Sequence, residues 1–254
     1  MLLSAVIITF NEEKNIERCI RSLAGVADEV IVLDSFSADR TVDLAIAAGA
    51  KVTQQPFAGY IRQKNDAMAL AAHDLILSLD ADEAPDATLA AAIQQVKLNG
   101  EADAWHISRC TMYCGKFIRH GSWYPDRKIR LFNRKMVRWE GEGLHEKVAF
   151  APGSVKVAAL PGDLLHYSFY TIEEHVKKCD LYSTLGAAAL YERGKKSSWV
   201  KLIVNPSWTF IQGYILRGGF LDGFSGFSIA VNSAQATFLK YAKLYQLWLT
   251  GHRP

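Results

Sequence analysis

Three carboxylates crowd the end of one apolar run. Residues 75–79, LILSL, give way to Asp80, Asp82 and Glu83. Negative charges this close repel one another and are costly to desolvate, so the cluster calls for a cation. Two earlier apolar runs also end in polar residues: Thr9, Asn11, Glu12 and Glu13 after the first, Asp34, Ser35, Ser37 and Asp39 after the second. Carboxylate oxygens are natural ligands of Mg²⁺ or Mn²⁺, and such an ion is usually completed by substrate phosphates. Asp34 can accept hydrogen bonds from a ribose or a base, and Asn11 and Glu12 can line the same crevice. A D-x-D triplet alone is weak, because a solvated helix N-cap before Pro85 also explains it. Three such clusters at the ends of three strands are harder to dismiss, and they indicate a metal–nucleotide site.

The elements that must position these residues are legible in the first hundred positions. Apolar, β-branched runs predict strands over 2–10, 29–33 and 75–79, with a short one around Val52. Between them lie helical patterns. Ile16, Cys19, Ile20 and Leu23 share one face at the i, i+3, i+4, i+7 spacing, and helices are also expected over 41–48, 60–72 and 87–98. This alternation predicts a mostly parallel sheet covered by helices on both faces. In such sheets, ligands bind at the carboxyl ends of the strands, where the three clusters fall. Residues 102–165 read as added strands and loops. Thr171 and Glu174 match a capping box that opens a helix to about Arg193.

Composition narrows the class. The chain has 254 residues, half of them hydrophobic, and a formal net charge of +3. Residues 1–100 carry 14 acids and 8 bases, a balance of −6, which leaves +9 on the remainder. An acidic first part suits a metal, and a basic remainder suits an anionic partner. Cys19, Cys110, Cys114 and Cys179 lack zinc-site spacing and read as reduced thiols of a cytosolic protein. The apolar start reads as a strand rather than a signal peptide, and no apolar stretch reaches the ~18 residues that span a bilayer. The first strand is not followed by G-x-G-x-x-G, and G-x-x-x-x-G-K-[ST] is absent, which disfavours a dinucleotide fold or a P-loop.

In order, ITFNEE, VLDSFSADRT, RQKNDAM and SLDADE resemble the successive signatures of family 2 glycosyltransferases with the GT-A fold. The later segments SWYPDRKIRLFNR, WEGEGLHEKV and YILRGGFLDGFSGF are similar to a narrower branch that includes lipopolysaccharide core β-1,4-glucosyltransferases. The resemblance implies a catalytic domain over 1–168 and a helical region over 169–254. It also implies an inverting, metal-dependent enzyme that uses a nucleotide sugar, with UDP-glucose the expected donor and a glycolipid or oligosaccharide of the envelope the expected acceptor.

Residue by residue, the resemblance implies that Thr9, Asn11 and Glu12 border the nucleotide and that Asp34 holds uridine or ribose. Arg62, Lys64 and Asn65 would approach the base and the donor. Asp80 would contact the ribose or metal-bound water, and Asp82 would ligate the metal directly. Glu83 reads equally well as a solvent-facing residue at the next helix start. Inversion needs one base to deprotonate the acceptor hydroxyl. The Glu-Asp pair of many relatives is missing, which leaves Asp126, Glu140, Glu142 and Glu146 as candidates; Glu146 is the expected base and Asp126 the second choice, while His145 would complete the metal shell or help bind phosphate. Arg127, Arg130 and Arg134 either meet an anionic group or form a solvated basic edge.

From about Trp199 the chain is rich in aromatics, and Asp222 is its last acid. The region is expected to be core, a homodimer contact, or a peripheral contact with the inner face of the cytoplasmic membrane. The pattern matches no nucleic-acid module. A sugar nucleotidyltransferase would need a glycine-rich first loop, and a HAD-type phosphatase would need Thr or Val where Ala84 stands. The non-enzyme alternative is a membrane-surface scaffold that keeps a nucleotide site.

Overall fold

In the computed structural model, residues 1–142 and 145–251 are described, apart from the side chains of Glu142, His145 and Glu146. The chain forms two compact units. The first comprises Met1–Arg109 and Asp126–Tyr167, the second Cys110–Pro125 and Ser168–Pro254.

The first unit begins with β1 (Leu3–Thr9), α1 (Ile16–Ser22), β2 (Glu29–Asp34), α2 (Thr41–Ala47), β3 (Lys51–Gln54), α3 (Tyr60–Ala69) and β4 (Leu75–Asp80). It continues with β5 (Glu83–Pro85) and α4 (Ala87–Asn99). Next come β6 (Ala104–Tyr113), whose last residues belong to the second unit, and β7 (Lys116–Phe117), which lies in that unit. β8 (Asp126–Asn133), β9 (Val137–Glu142), β10 (His145–Phe150) and most of β11 (Val157–Phe169) complete the first unit.

The main sheet runs β3-β2-β1-β4-β8-β6-β11-β5. β1, β2, β3 and β4 are mutually parallel, with Thr9 beside Asp34 and Ile8 beside Asp80. This register brings the three polar strand ends to one edge. Beyond β4 the sheet turns antiparallel, with Leu77 beside Leu131 of β8. The period of two explains the two cores. Ala5 and Ile7 of β1 face a cluster with Ile16, Cys19, Leu89 and Ile93 from α1 and α4. Val6 faces the other side, with Ala67 and Met68 of α3 and with Phe132 and Trp139. The α/β class is therefore as expected: a sheet with a parallel half, flanked by helices and followed by a C-terminal helical region.

The sequence did not anticipate β5. Residues 83–85 pair antiparallel with Leu164–His166 of β11 instead of opening a helix. Pro85 tolerates this position because β5 lies at the edge of the sheet. Asp86 caps α4 in its stead, accepting from Leu89 N at 2.7 Å.

The second unit holds α5 (Ile172–Glu192), α6 (Trp199–Phe210) with a π-helical continuation Ile211–Leu216, a 3-10 turn Gly219–Asp222, and α7 (Phe224–Thr250). The expected capping box at Thr171 and Glu174 is present. α7 packs on both α5 and α6.

Candidate functional site at the strand ends

The carboxylates of the opening cluster divide the work. Asp82 follows β4, and its Oδ2 lies 3.2 Å from Nε2 of His166 on β11. The pairing of β5 with β11 creates this meeting, since His166 stands opposite Glu83 and Tyr167 N donates to the Asp82 carbonyl. Both side chains are partly accessible, at 19% and 14%. A carboxylate oxygen and an imidazole nitrogen about 3 Å apart span one edge of an octahedron whose ligands sit ~2.1 Å from its centre. The donor set thus fits a divalent cation. No group of three His, Cys, Asp or Glu side chains converges on a metal position among the described residues. The remaining ligand positions of such an ion would go to phosphate and water.

Asp80 is held differently. Its Oδ1 is 3.1 Å from Lys64 Nζ and its Oδ2 is 2.5 Å from Arg130. Burial alone would raise the Asp80 carboxyl, but the Arg130 and Lys64 charges override it and keep Asp80 ionised far below the usual carboxylate range. Arg130 also reaches Glu83 at 2.8 Å, and Arg109 stands 3.5 Å from Glu83 and 2.7 Å from Asp126. The result is an alternating ladder, Lys64–Asp80–Arg130–Glu83–Arg109–Asp126. The solvent-facing alternative for Glu83 is overturned: the side chain is fully buried, and it accepts from Asp80 N at 3.1 Å. Arg130 is likewise no solvated edge charge. Trp139 lies against Lys64, 4.6 Å from ring centroid to Nζ.

Asp126, one of the two expected bases, is committed to Arg109 and to Lys128, the latter at 3.1 Å. Burial opposes the effect, but these cations hold its carboxyl below the ordinary range and weaken it as a base. Glu146 and His145 lie on β10, with backbone partners Gly141 and Glu142, but their side chains fall outside the described residues.

At the other strand ends, Asp34 is buried and already accepts from Ser37 N at 2.9 Å and Gln54 Nε2 at 2.8 Å, with Ser37 Oγ on its other oxygen at 2.5 Å. Its direct service is to fix the loop after β2. Asn11, at φ 53°, accepts from Ala38 N at 2.8 Å, while its own N–H donates to Ser37. Glu12 accepts from Asn15 at 2.7 Å. Thr9 is buried, and its Oγ1 has no hydrogen-bond partner among the described residues. Lys64 joins the ladder, but its neighbours on α3 do not. Arg62 is exposed beside Asp66 at 3.5 Å, and Asn65 exchanges two hydrogen bonds with the Trp139 backbone.

His166 is the site residue that sequence reasoning missed. A single histidine in the stretch LLHYS reads as an ordinary strand residue, and no local motif ties it to Asp82. The signal lay in the edge pairing of β5, itself unexpected. Cys19, under the cluster, is not a competing nucleophile. Burial first, then the negative charges of Glu83, Asp82 and Asp80, push its thiol well above the ordinary value.

Parallel strands whose ends carry clustered acidic side chains place the fold among α/β proteins with a candidate site at the carboxyl edge of the sheet. Residues 4–156 match the family described as glycosyl transferase family 2. An uncharacterized glycosyltransferase of Rickettsia typhi is 35% identical over 97% of this chain and 88% of its own. A lipopolysaccharide core biosynthesis glycosyltransferase, LpsC of Rhizobium meliloti, is 32% identical over 99% and 95%. The crystal structure of residues 1–349 of TarS from S. aureus aligns with a TM-score of 0.48 at 16% identity, covering 99% of this chain and 92% of that one. The chain belongs to glycosyl transferase family 2, and it is a glycosyltransferase.

Proposed function

We propose that the chain transfers glucose from UDP-glucose to the inner core of a lipopolysaccharide, with inversion at the anomeric carbon. In this reading it is a metal-dependent enzyme of the cytoplasm, working at the inner face of the cytoplasmic membrane. The observation that carries the proposal is the Asp82–His166 pair, two converging donors beside a fully ionised Asp80. These two residues would hold Mg²⁺ or Mn²⁺. When bound, the cation offsets the charge that develops on the departing diphosphate.

The chain's own residues do the rest. Lys64 and Arg130 fix Asp80 so that it faces the ribose or the water around the cation. Asp34 and Asn11 shape the loops that border the nucleotide, and Arg62 and Asn65 lie on the helix that approaches it. A base then removes the proton of the acceptor hydroxyl as the sugar is attacked in line. Glu146 is preferred to Asp126 for this step because Asp126 is neutralised by Arg109. The name of the Rhizobium relative supports a lipopolysaccharide core acceptor.

The direct test supplies UDP-glucose, Mn²⁺ and lipopolysaccharide with a truncated core. The expected result is acceptor-dependent release of UDP and a β-linked product by NMR. An α-linked product would overturn inversion. Turnover only with another nucleotide sugar would overturn the donor.

A further inference from the structure

A surface helix normally turns its polar side to water, and α6 does the reverse. At about 100° per residue, its seven-tenths-exposed Trp199 shares one half of the helix with Val200, Ile203, Val204, Trp208 and Ile211, all exposed. The opposite half, with Leu202 and Gly213, is the one that packs inward. Lys201, Asn205 and Thr209 lie off this half, which is left as a largely apolar face open to solvent.

The apolar strip continues past the helix. Leu216, Phe220, Leu221 and Phe224 are exposed on the following turn, Phe224 at 73%. The turn is firmly built. Gly226 and Gly219 pack backbone to backbone, so that a Cβ on Gly226 would stand 1.9 Å from the Gly219 carbonyl oxygen. Asp222 lies beneath it, accepting from Arg119 N at 3.0 Å and His120 N at 2.8 Å. Its carbonyl accepts from Lys116 at 2.7 Å. The protruding aromatics therefore sit on a preformed tip.

Charge identifies the occupant. From residue 193 onward Asp222 is the sole acid, and it is buried. Lys195 and Lys196 are exposed before α6 begins, and Arg217 is exposed where its π-helical continuation ends. The strip is thus apolar along its length, with bases where it begins and at Arg217, where the helix gives way to the tip. A second copy docked about a two-fold axis would set this face on its own counterpart, base near base. An anionic bilayer instead accepts the aromatics among its acyl chains and the bases at its headgroups. No described helix is long and apolar enough to cross a membrane.

We infer that the outer face of α6 and the tip at Leu216–Phe224 dock this protein on anionic membranes, with α6 lying in the plane of the interface. The inference is independent of donor and acceptor, and its test contains neither. Full-length protein is sedimented with phosphatidylcholine vesicles, with and without one third phosphatidylglycerol. The wild type should pellet with the anionic vesicles and be released in part by salt. Brominated acyl chains should quench its tryptophan fluorescence. The triple variant Trp199→Ser, Trp208→Ser, Phe224→Ser removes only exposed side chains, so its unfolding midpoint should hold while partitioning drops by roughly a hundredfold. Charge reversal with Lys195→Glu, Lys196→Glu and Arg217→Glu should lower binding to the anionic vesicles alone. Equal pelleting of wild type and triple variant would overturn the inference. So would a wild type that ignores vesicles but forms a dimer by ultracentrifugation that the triple variant does not, since a second copy would then be the occupant.

Discussion

The strand-end ladder of the first unit and the His175 pocket of the second bury ionisable groups by opposite means. Beside the strand ends, Asp80, Glu83, Lys64 and Arg130 each stand within 3.1 Å of a group of opposite sign. In the second unit, His175 is buried and makes no ion pair with a carboxylate among the described residues. Its Nδ1 lies 3.3 Å from the Tyr113 hydroxyl, which in turn meets Ser228 Oγ at 2.8 Å. The rings of Trp123 and Phe169 enclose it, with centroids 5.1 Å away. Burial, and secondarily Lys178, lowers the His175 pKa to about 4. The ladder pairs its buried charges, whereas the His175 pocket favours the neutral ring. Pairing is not confined to the first unit, since buried Asp222 of the second has Lys116 Nζ at 3.7 Å.

The comparison can be broken most forcefully at Arg130. Arg130→Met removes the cation shared by Asp80 and Glu83, leaving Asp80 to Lys64 at 3.1 Å and Glu83 to Arg109 at 3.5 Å. Destabilisation of about 3–5 kcal/mol is expected by denaturant unfolding. Adding Glu83→Gln should restore part of it, because one of the two carboxylates that shared Arg130 is removed. If Arg130→Met costs less than 1 kcal/mol, roughly the value of an exposed pair, the ladder is not what holds Asp80.

At His175 the comparison is sharpened by pH. Its unfolded value is near 6.5 and its folded value about 4. Between these limits the unfolded chain binds a proton that the folded chain refuses. Stability is therefore full above pH 6.5 and falls as the pH drops to 4, by roughly 3 kcal/mol from this group. His175→Phe should flatten that part of the pH profile relative to wild type. An unchanged slope would mean that His175 is charged when folded.

Arg62 supplies the smallest effect. It is exposed, and its partner Asp66 lies one helical turn away. Arg62→Ala should change stability by no more than about 0.5 kcal/mol. Any loss of nucleotide affinity in that variant would then report on the donor and not on the fold.

Much of the first unit was legible because its signals are local. The period of two in β1 and the 3.6 period of α1 announce a covered parallel sheet, and the observed elements start and stop within three residues of expectation. The polar strand ends pointed to one edge because parallel strands share a direction. What stayed hidden depends on contacts between distant residues. Glu83 looked like a helix-start acid because its burial arises only when β5 pairs with β11. His166 gave no signal for the same reason, and Arg130 read as one base among three until β8 set it beside β4. The apolar tail was visible in composition, but composition does not say which aromatics face outward. That division appears only when α6 packs on α7.

In the proposed reaction Asp82 and His166 hold a cation for a uridine diphosphate. The most direct measurement is a thermal-shift panel of UDP, GDP, ADP and CMP, each with and without Mn²⁺, on wild type, Asp82→Ala and His166→Ala. The account predicts stabilisation by UDP that requires Mn²⁺ and is lost in both variants, while their midpoints without ligand stay near wild type. Stabilisation by UDP that persists without Mn²⁺, or that survives both substitutions, would contradict it.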